Sequence, residues 1–183
     1  MKNDIIWRYK NGHPIPIKAT NQYMNEKIRK EPQPIEILND KSEENIIKTL
    51  KNYENKIKND KIENAIVITK TGEVYQVFGD ENGVEPNKIL KDKLFGAYIT
   101  HNHTKDRTEY SFSVEDLKMF EEYKLTKLRG VDYKYSYELD GRKSPVLDRI
   151  TFDNIGEDDT MRHLSSIDYA LDKNVYYMRW RNE

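Results

Sequence analysis

The chain contains no cysteine, so disulfides and thiolate ligands are excluded and any metal must rest on histidine, carboxylate or backbone oxygen. It lacks the run of about eighteen apolar residues that a membrane-spanning helix needs. Net charge is nearly absent: 31 Lys and Arg stand against 32 Asp and Glu, a formal charge of −1, which leaves no overall field to draw nucleic acid or an anionic membrane. The opening residues Met1-Lys2-Asn3-Asp4-Ile5-Ile6-Trp7 carry no signal-peptide apolar segment. Internal repeats and low-complexity stretches are missing too. A soluble, unsecreted protein of the cytoplasm is expected, with neither nucleic acid nor membrane as partner. What is present suits one core with a modest appendage: 183 residues, 36% hydrophobic, with 13 Tyr, 5 Phe and 2 Trp supplying large side chains for burial.

Hydrophobic spacing divides the chain into elements. Ile5-Ile6-Trp7-Arg8-Tyr9 and Ile15-Pro16-Ile17 flank Asn11-Gly12, a pair suited to a tight turn, so a hairpin is expected, with Pro14 and Pro16 marking its second strand as an edge. Thr20 to Gln33 shows no period and reads as a surface connection. Between about Ser42 and Lys58, Ile46, Leu50, Tyr53 and Ile57 recur at helical spacing, and the lysines from Lys48 to Lys61 read as a solvated face. Ala65-Ile66-Val67-Ile68-Thr69 and Val74-Tyr75-Gln76-Val77-Phe78, split by Thr71-Gly72, predict adjacent strands. Ala97-Tyr98-Ile99-Thr100 predicts a third, running into His101-Asn102-His103. A second helix is expected from Ser113 to near Gly130, with Val114, Leu117 and Phe120 on one face. Alternation through Tyr133, Tyr135 and Tyr137 predicts a strand between Val131 and Leu139, and Pro145-Val146-Leu147 and Ile150-Thr151-Phe152 read as further strands. Leu164, Ile167 and Leu171 predict a third helix, capped by Asp158 or Asp159, before the aromatic tail Val175-Tyr176-Tyr177-Met178-Arg179-Trp180. The fold class predicted is α/β (α+β): a mixed sheet flanked by helices over residues 41–183, preceded by a hairpin and linker over residues 1–40.

Residues two apart on a strand project from one face, so His101 and His103 direct both imidazoles to one point, and neutral imidazole is a good zinc ligand. Asp116, three positions into the next helix, supplies a third ligand where the chain turns back past the strand end. Three protein ligands leave one tetrahedral position open, as in catalytic rather than structural Zn2+ sites, and the chemistry implied is hydrolytic. Ser113-Val114-Glu115-Asp116 is equally a helix N-terminus, with serine as N-cap and an acid three positions later. A lone His-x-His is commonly a polar turn; the combination with Asp116 favours the metal. His13 and His163 read as solvated or locally bonded, and the closing aromatics, Trp180 included, as core packing.

The order His101-x-His103, nine residues, Ser113-x-x-Asp116 resembles the metal motif of the JAB/MPN, or JAMM, metalloproteases, over roughly Glu63 to Leu139. Thr100-His101-Asn102-His103 looks closest to the bacterial RadC-like and phage-associated branches. The resemblance implies a JAB/MPN (cytidine-deaminase-like) core with the N-terminal hairpin and helix as an extension. It implies zinc on His101, His103 and Asp116, with Ser113 stabilising the oxyanion. It also implies an upstream glutamate that takes a proton from the attacking water, a place matched by Glu63, although Glu44, Glu54 and Glu73 lie near in sequence. Thr104 stands where the family usually has proline, and the gap before the serine is longer than is commonest. The activity implied is zinc-dependent cleavage of a peptide or isopeptide bond in a protein or peptide substrate. The rival expectation is a non-catalytic JAB-like module of a phage or bacterial assembly. On the catalytic reading, Ser113→Ala impairs turnover with metal binding nearly intact, whereas His101→Ala abolishes both. A nuclease reading of the letters His-Asn-His fails, since in those enzymes the three residues are spread over a ββα-metal unit.

Overall fold

The computed structural model describes residues 5–10, 13–18, 32–105, 110–145 and 161–182. Strands β1 (Ile5–Lys10) and β2 (His13–Lys18) pair antiparallel in a two-stranded sheet, as two β-prone runs flanking Asn11-Gly12 predict. The Asn11-Gly12 turn, most of the Thr20 to Gln33 connection, the strand segments Val146-Leu147 and Ile150-Thr151-Phe152, and the cap at Asp158 or Asp159 lie outside the described residues.

A second, mixed sheet has seven strands: β3 (Glu36–Ile37), β4 (Asn64–Ile68), β5 (Glu73–Phe78), β6 (Tyr98–Asn102), β7 (Lys127–Val131), β8 (Tyr135–Asp140) and β9 (Tyr176–Arg181). Their spatial order is β3-β5-β4-β6-β7-β8-β9. Neighbours run antiparallel except β6 and β7, which are parallel and therefore need a crossover. Four helices accompany the sheet among the described residues: α1 (Glu43–Ile57), α2 (Pro86–Leu90), α3 (Val114–Glu122) and α4 (Met161–Lys173). Helix α3 lies within the β6–β7 crossover, which places its N-terminus beside the end of β6.

Helix α1 begins where Ser42 Oγ accepts from the Asn45 amide at 3.4 Å, and it buries Ile46, Leu50 and Ile57 against Ile66, Ile68 and Val74 of the sheet. On the other face Ala65, Val67, Ile99, Leu128, Tyr137 and Leu139 pack with Leu117 and Phe120 of α3 and Ala170 of α4. Strand β4 is buried on both faces, which explains its unbroken apolar run. Toward β7 and β8 the α1 face changes character. Arg129 donates to Glu54 through Nε (2.6 Å) and Nη2 (3.0 Å) and also pairs with Glu138. Lys127 Nζ reaches Glu138 at 2.6 Å and Asp140 at 3.0 Å. All five side chains are buried.

Three expectations need correction. The helix predicted from Ser113 to Gly130 stops at Glu122, and residues 127–131 form the buried strand β7. Lys127 and Arg129 disguise that strand, because buried charges in a network read in sequence as a solvated helical face. Val114, expected on the apolar face of the helix, is 57% exposed; Met119 packs inward together with Leu117 and Phe120. The closing aromatic run forms strand β9, and only part of it is core: Tyr177 packs inside as expected, whereas Tyr176 and Trp180 are half-buried. Helix α2 and strand β3 carry no periodic signal and were unexpected. No helix among the described residues is long and apolar enough to cross a membrane.

Candidate metal centre

His101 is the penultimate residue of β6 and His103 lies just past its end, so both side chains leave the sheet on the α3 face. Their Nε2 atoms stand 3.1 Å apart, and His101 Nε2 is 3.6 Å from Asp116 Oδ1. The three prospective ligand atoms all lie within 4.8 Å of one another. Ligands roughly 2.0–2.1 Å from a tetrahedral zinc would be about 3.3 Å apart, so the two separations from His101 already suit that ion, and the third pair, within 4.8 Å, would close onto it.

Asp116 is delivered by the start of α3. Ser113 is the N-cap, and the cap is reciprocal: the Asp116 amide donates to Ser113 Oγ at 3.1 Å, while the Ser113 amide and hydroxyl both donate to Asp116 Oδ2, at 2.8 and 2.7 Å. Oδ2 is thereby occupied and Oδ1 is left facing the histidines. The capping acid and the prospective metal ligand, alternatives in the sequence, are the same carboxylate in the structure.

Further side chains orient the imidazoles. His103 Nδ1 lies 2.6 Å from the Tyr137 hydroxyl; a metal on Nε2 leaves the hydrogen on Nδ1, which then donates to that oxygen. Tyr137 reaches His103 by lying across Gly130, its cross-strand partner, where an added Cβ would sit 2.1 Å from the ring. Phe112 is buried edge-on against Tyr137, with ring centroids 5.0 Å apart, and also flanks His101. His163 is buried, with Nδ1 2.7 Å from the Tyr177 hydroxyl, a locally bonded histidine as its sequence context suggests.

The electrostatics suit a cation. Burial works against a charged His101, but Asp116 outweighs it and the imidazole is held above its usual range. Burial and the neighbouring His101 push His103 down to about 3, so it is neutral at ordinary pH. Burial opposes ionisation of Asp116, yet His101, His103 and Ser113 together hold it well below the usual carboxylate range. One imidazole is thus ready to ligate and one carboxylate is ionised, while the second imidazole is shifted toward its protonated form, against which an incoming cation would compete.

The centre opens into a cleft of about 380 Å³ lined by Glu63, Asp80, His103, Ser113, Asp116 and Arg162, among others. Glu63 immediately precedes β4 and is buried; burial pushes its carboxyl up to about 7, with His101 pulling the other way. Of the four glutamates near in sequence, Glu44 is exposed, Glu54 belongs to the Arg129 network and Glu73 bonds Thr71 and Tyr75, while Glu63 lines the cleft. All five residues singled out in the sequence therefore converge. Tyr137, Phe112, Asp80 and Arg162 were not singled out; the Gly130–Tyr137 pairing that brings Tyr137 to the site belongs to the folded sheet, whereas the sequence places Gly130 at a helix end. No protein-family model, curated protein or solved structure matches this chain.

Proposed function

We propose that this chain is a zinc-dependent hydrolase of the JAB/MPN type, acting in the cytoplasm on a peptide or isopeptide bond. The observation that carries the reading is the convergence of two imidazole nitrogens and one ionised carboxylate oxygen at the wall of an open cleft that also holds a buried glutamate. His101, His103 and Asp116 would hold the ion. Bound there, zinc supplies a Lewis acid that acidifies water and polarises a carbonyl. Glu63 accepts the proton of the attacking water and returns it to the leaving amine, a task for which a carboxyl titrating near neutrality is suited. Tyr137 and Ser113 keep ligand atoms aimed inward.

One observation favours a second reading, a metal-holding module without catalysis: the Ser113 hydroxyl hydrogen is directed at Asp116 rather than into the cleft. Metal content by mass spectrometry on wild type, His101→Ala, His103→Ala and Asp116→Ala comes first, followed by a panel of fluorogenic peptides and lysine-linked isopeptides with Glu63→Gln as control. One zinc per chain, lost in all three variants, with hydrolysis that Glu63→Gln abolishes, supports the enzyme. Zinc without hydrolysis on any substrate favours the module, and absence of zinc overturns both.

A further inference from the structure

The two histidines project to one face of the sheet, and Asn102 between them projects to the other. Its side chain is fully buried, at 0% exposure. Asn102 Oδ1 accepts from the Asn64 amide at 2.7 Å, and Nδ2 donates to the Ile62 carbonyl at 3.0 Å. These groups flank Glu63. On the opposite side the Glu63 amide donates to the Asp80 carbonyl, and the Gly79 amide donates to the Glu63 carbonyl, each at 2.8 Å. The backbone that carries Glu63 is therefore anchored from both directions, by peptide groups on one side and by a single side-chain amide on the other.

That amide stands where a backbone ladder ends. Strands β4 and β6 pair from Ile68–Tyr98 to Ala65–His101, and the register stops there. Continued by two steps it would bring Glu63 directly opposite His103. Instead a primary amide, which offers a carbonyl acceptor and N–H donors like those of a peptide group, takes up the bonds of residues 62 and 64. The segment is held off from the strand by the reach of the side chain.

We infer that Asn102 is a positioning residue, a spacer that sets the distance between Glu63 and the histidines and so keeps open the room that water and a scissile group require. Its consequence for turnover rests on the hydrolase reading; the spacing itself does not. Asn102→Ala removes both bonds. Asn102→Asp keeps the acceptor for the Asn64 amide but sets a carboxylate against the Ile62 carbonyl, removing one.

The test compares the full chain as wild type, Asn102→Ala and Asn102→Asp, each with and without zinc, by hydrogen exchange resolved at the amides of Asn64, Ile66 and Ile68, and by zinc content. A crystal structure of the alanine variant completes it. The expected result is exchange at Asn64 faster by at least about tenfold, unchanged exchange at Ile66 and Ile68, undiminished zinc, and a displaced Glu63. On substrates that the wild type cleaves, kcat falls while KM holds. Asn64 protection equal to wild type overturns the inference, as does acceleration spread evenly over β4, which would make Asn102 a general structural residue. If the alanine variant does not fold, the aspartate variant decides by the displacement of Glu63 that follows loss of the Ile62 bond alone. A wild type that takes up no zinc removes the hydrolase reading, and the metal-free exchange comparison still decides the spacing.

Discussion

Asp116 presents one carboxylate oxygen to the histidines because Ser113 occupies the other twice. Ser113→Ala removes the hydroxyl bond and leaves the amide bond, so zinc affinity should fall about tenfold, measured by competition with a chelator. This departs from the expectation, drawn from sequence, that metal binding would stay nearly intact, and unchanged affinity would restore that simpler view. Tyr137→Phe should weaken zinc binding by roughly 10–100-fold through loss of the partner on His103 Nδ1. Gly130→Ala should reproduce much of that loss without touching a ligand, because the new Cβ displaces the Tyr137 ring; an affinity equal to wild type would refute the orienting role. The candidate ligands were legible in the sequence because they share one short segment and their residue types are specific. Tyr137 and Asn102 were not, since each acts through a strand register that only the folded sheet defines.

At the level of elements, α1, β4, β5 and β6 follow from period and apolar content alone. Strand β7 does not, because half of its side chains are charges neutralised across the sheet by Glu54, Glu138 and Asp140. Period-based reading presumes that charge faces water, and here five ionic groups are packed beneath a helix. Arg129→Met should therefore destabilise the fold by about 3–5 kcal/mol in urea denaturation, since it takes the guanidinium from the buried Glu54 and leaves the buried Glu138 to Lys127, which it shares with Asp140. A cost under about 1 kcal/mol would show that the network is solvated in solution and contributes no more than a surface pair.

The molecule as a whole should carry a pH signature from the turn between β7 and β8. Asp132 is fully buried, and burial pushes its carboxyl up to about 6 although Oδ1 accepts from the amides of Tyr135 and Lys134, each at 2.7 Å. A folded-state pKa above the unfolded value means that its favourable contribution is complete below the unfolded value of 3.8 and is lost as pH rises through about 6. Asp132→Asn, which retains the acceptor oxygen, should match wild type near pH 4 and exceed it near pH 8 by up to about 3 kcal/mol. Equal stabilities at both pH values would place the ionised carboxylate in a hydrated setting.

The distribution of the centre along the chain has a consequence for its order of assembly. His101, His103 and Asp116 belong to one short stretch, whereas Glu63 enters through an amide 38 residues away from Asn102, and Tyr137 lies 34 residues from the histidine it orients. Closing a short loop costs little chain entropy, and that cost grows only with the longer excursions that bring in the other two. A peptide spanning β6 and α3 already holds the complete ligand set. On the hydrolase reading proposed above, the ligand set can therefore form within one local unit, and the base and the tyrosine that orients His103 join it through contacts of longer range, so that loading and arming are separate events.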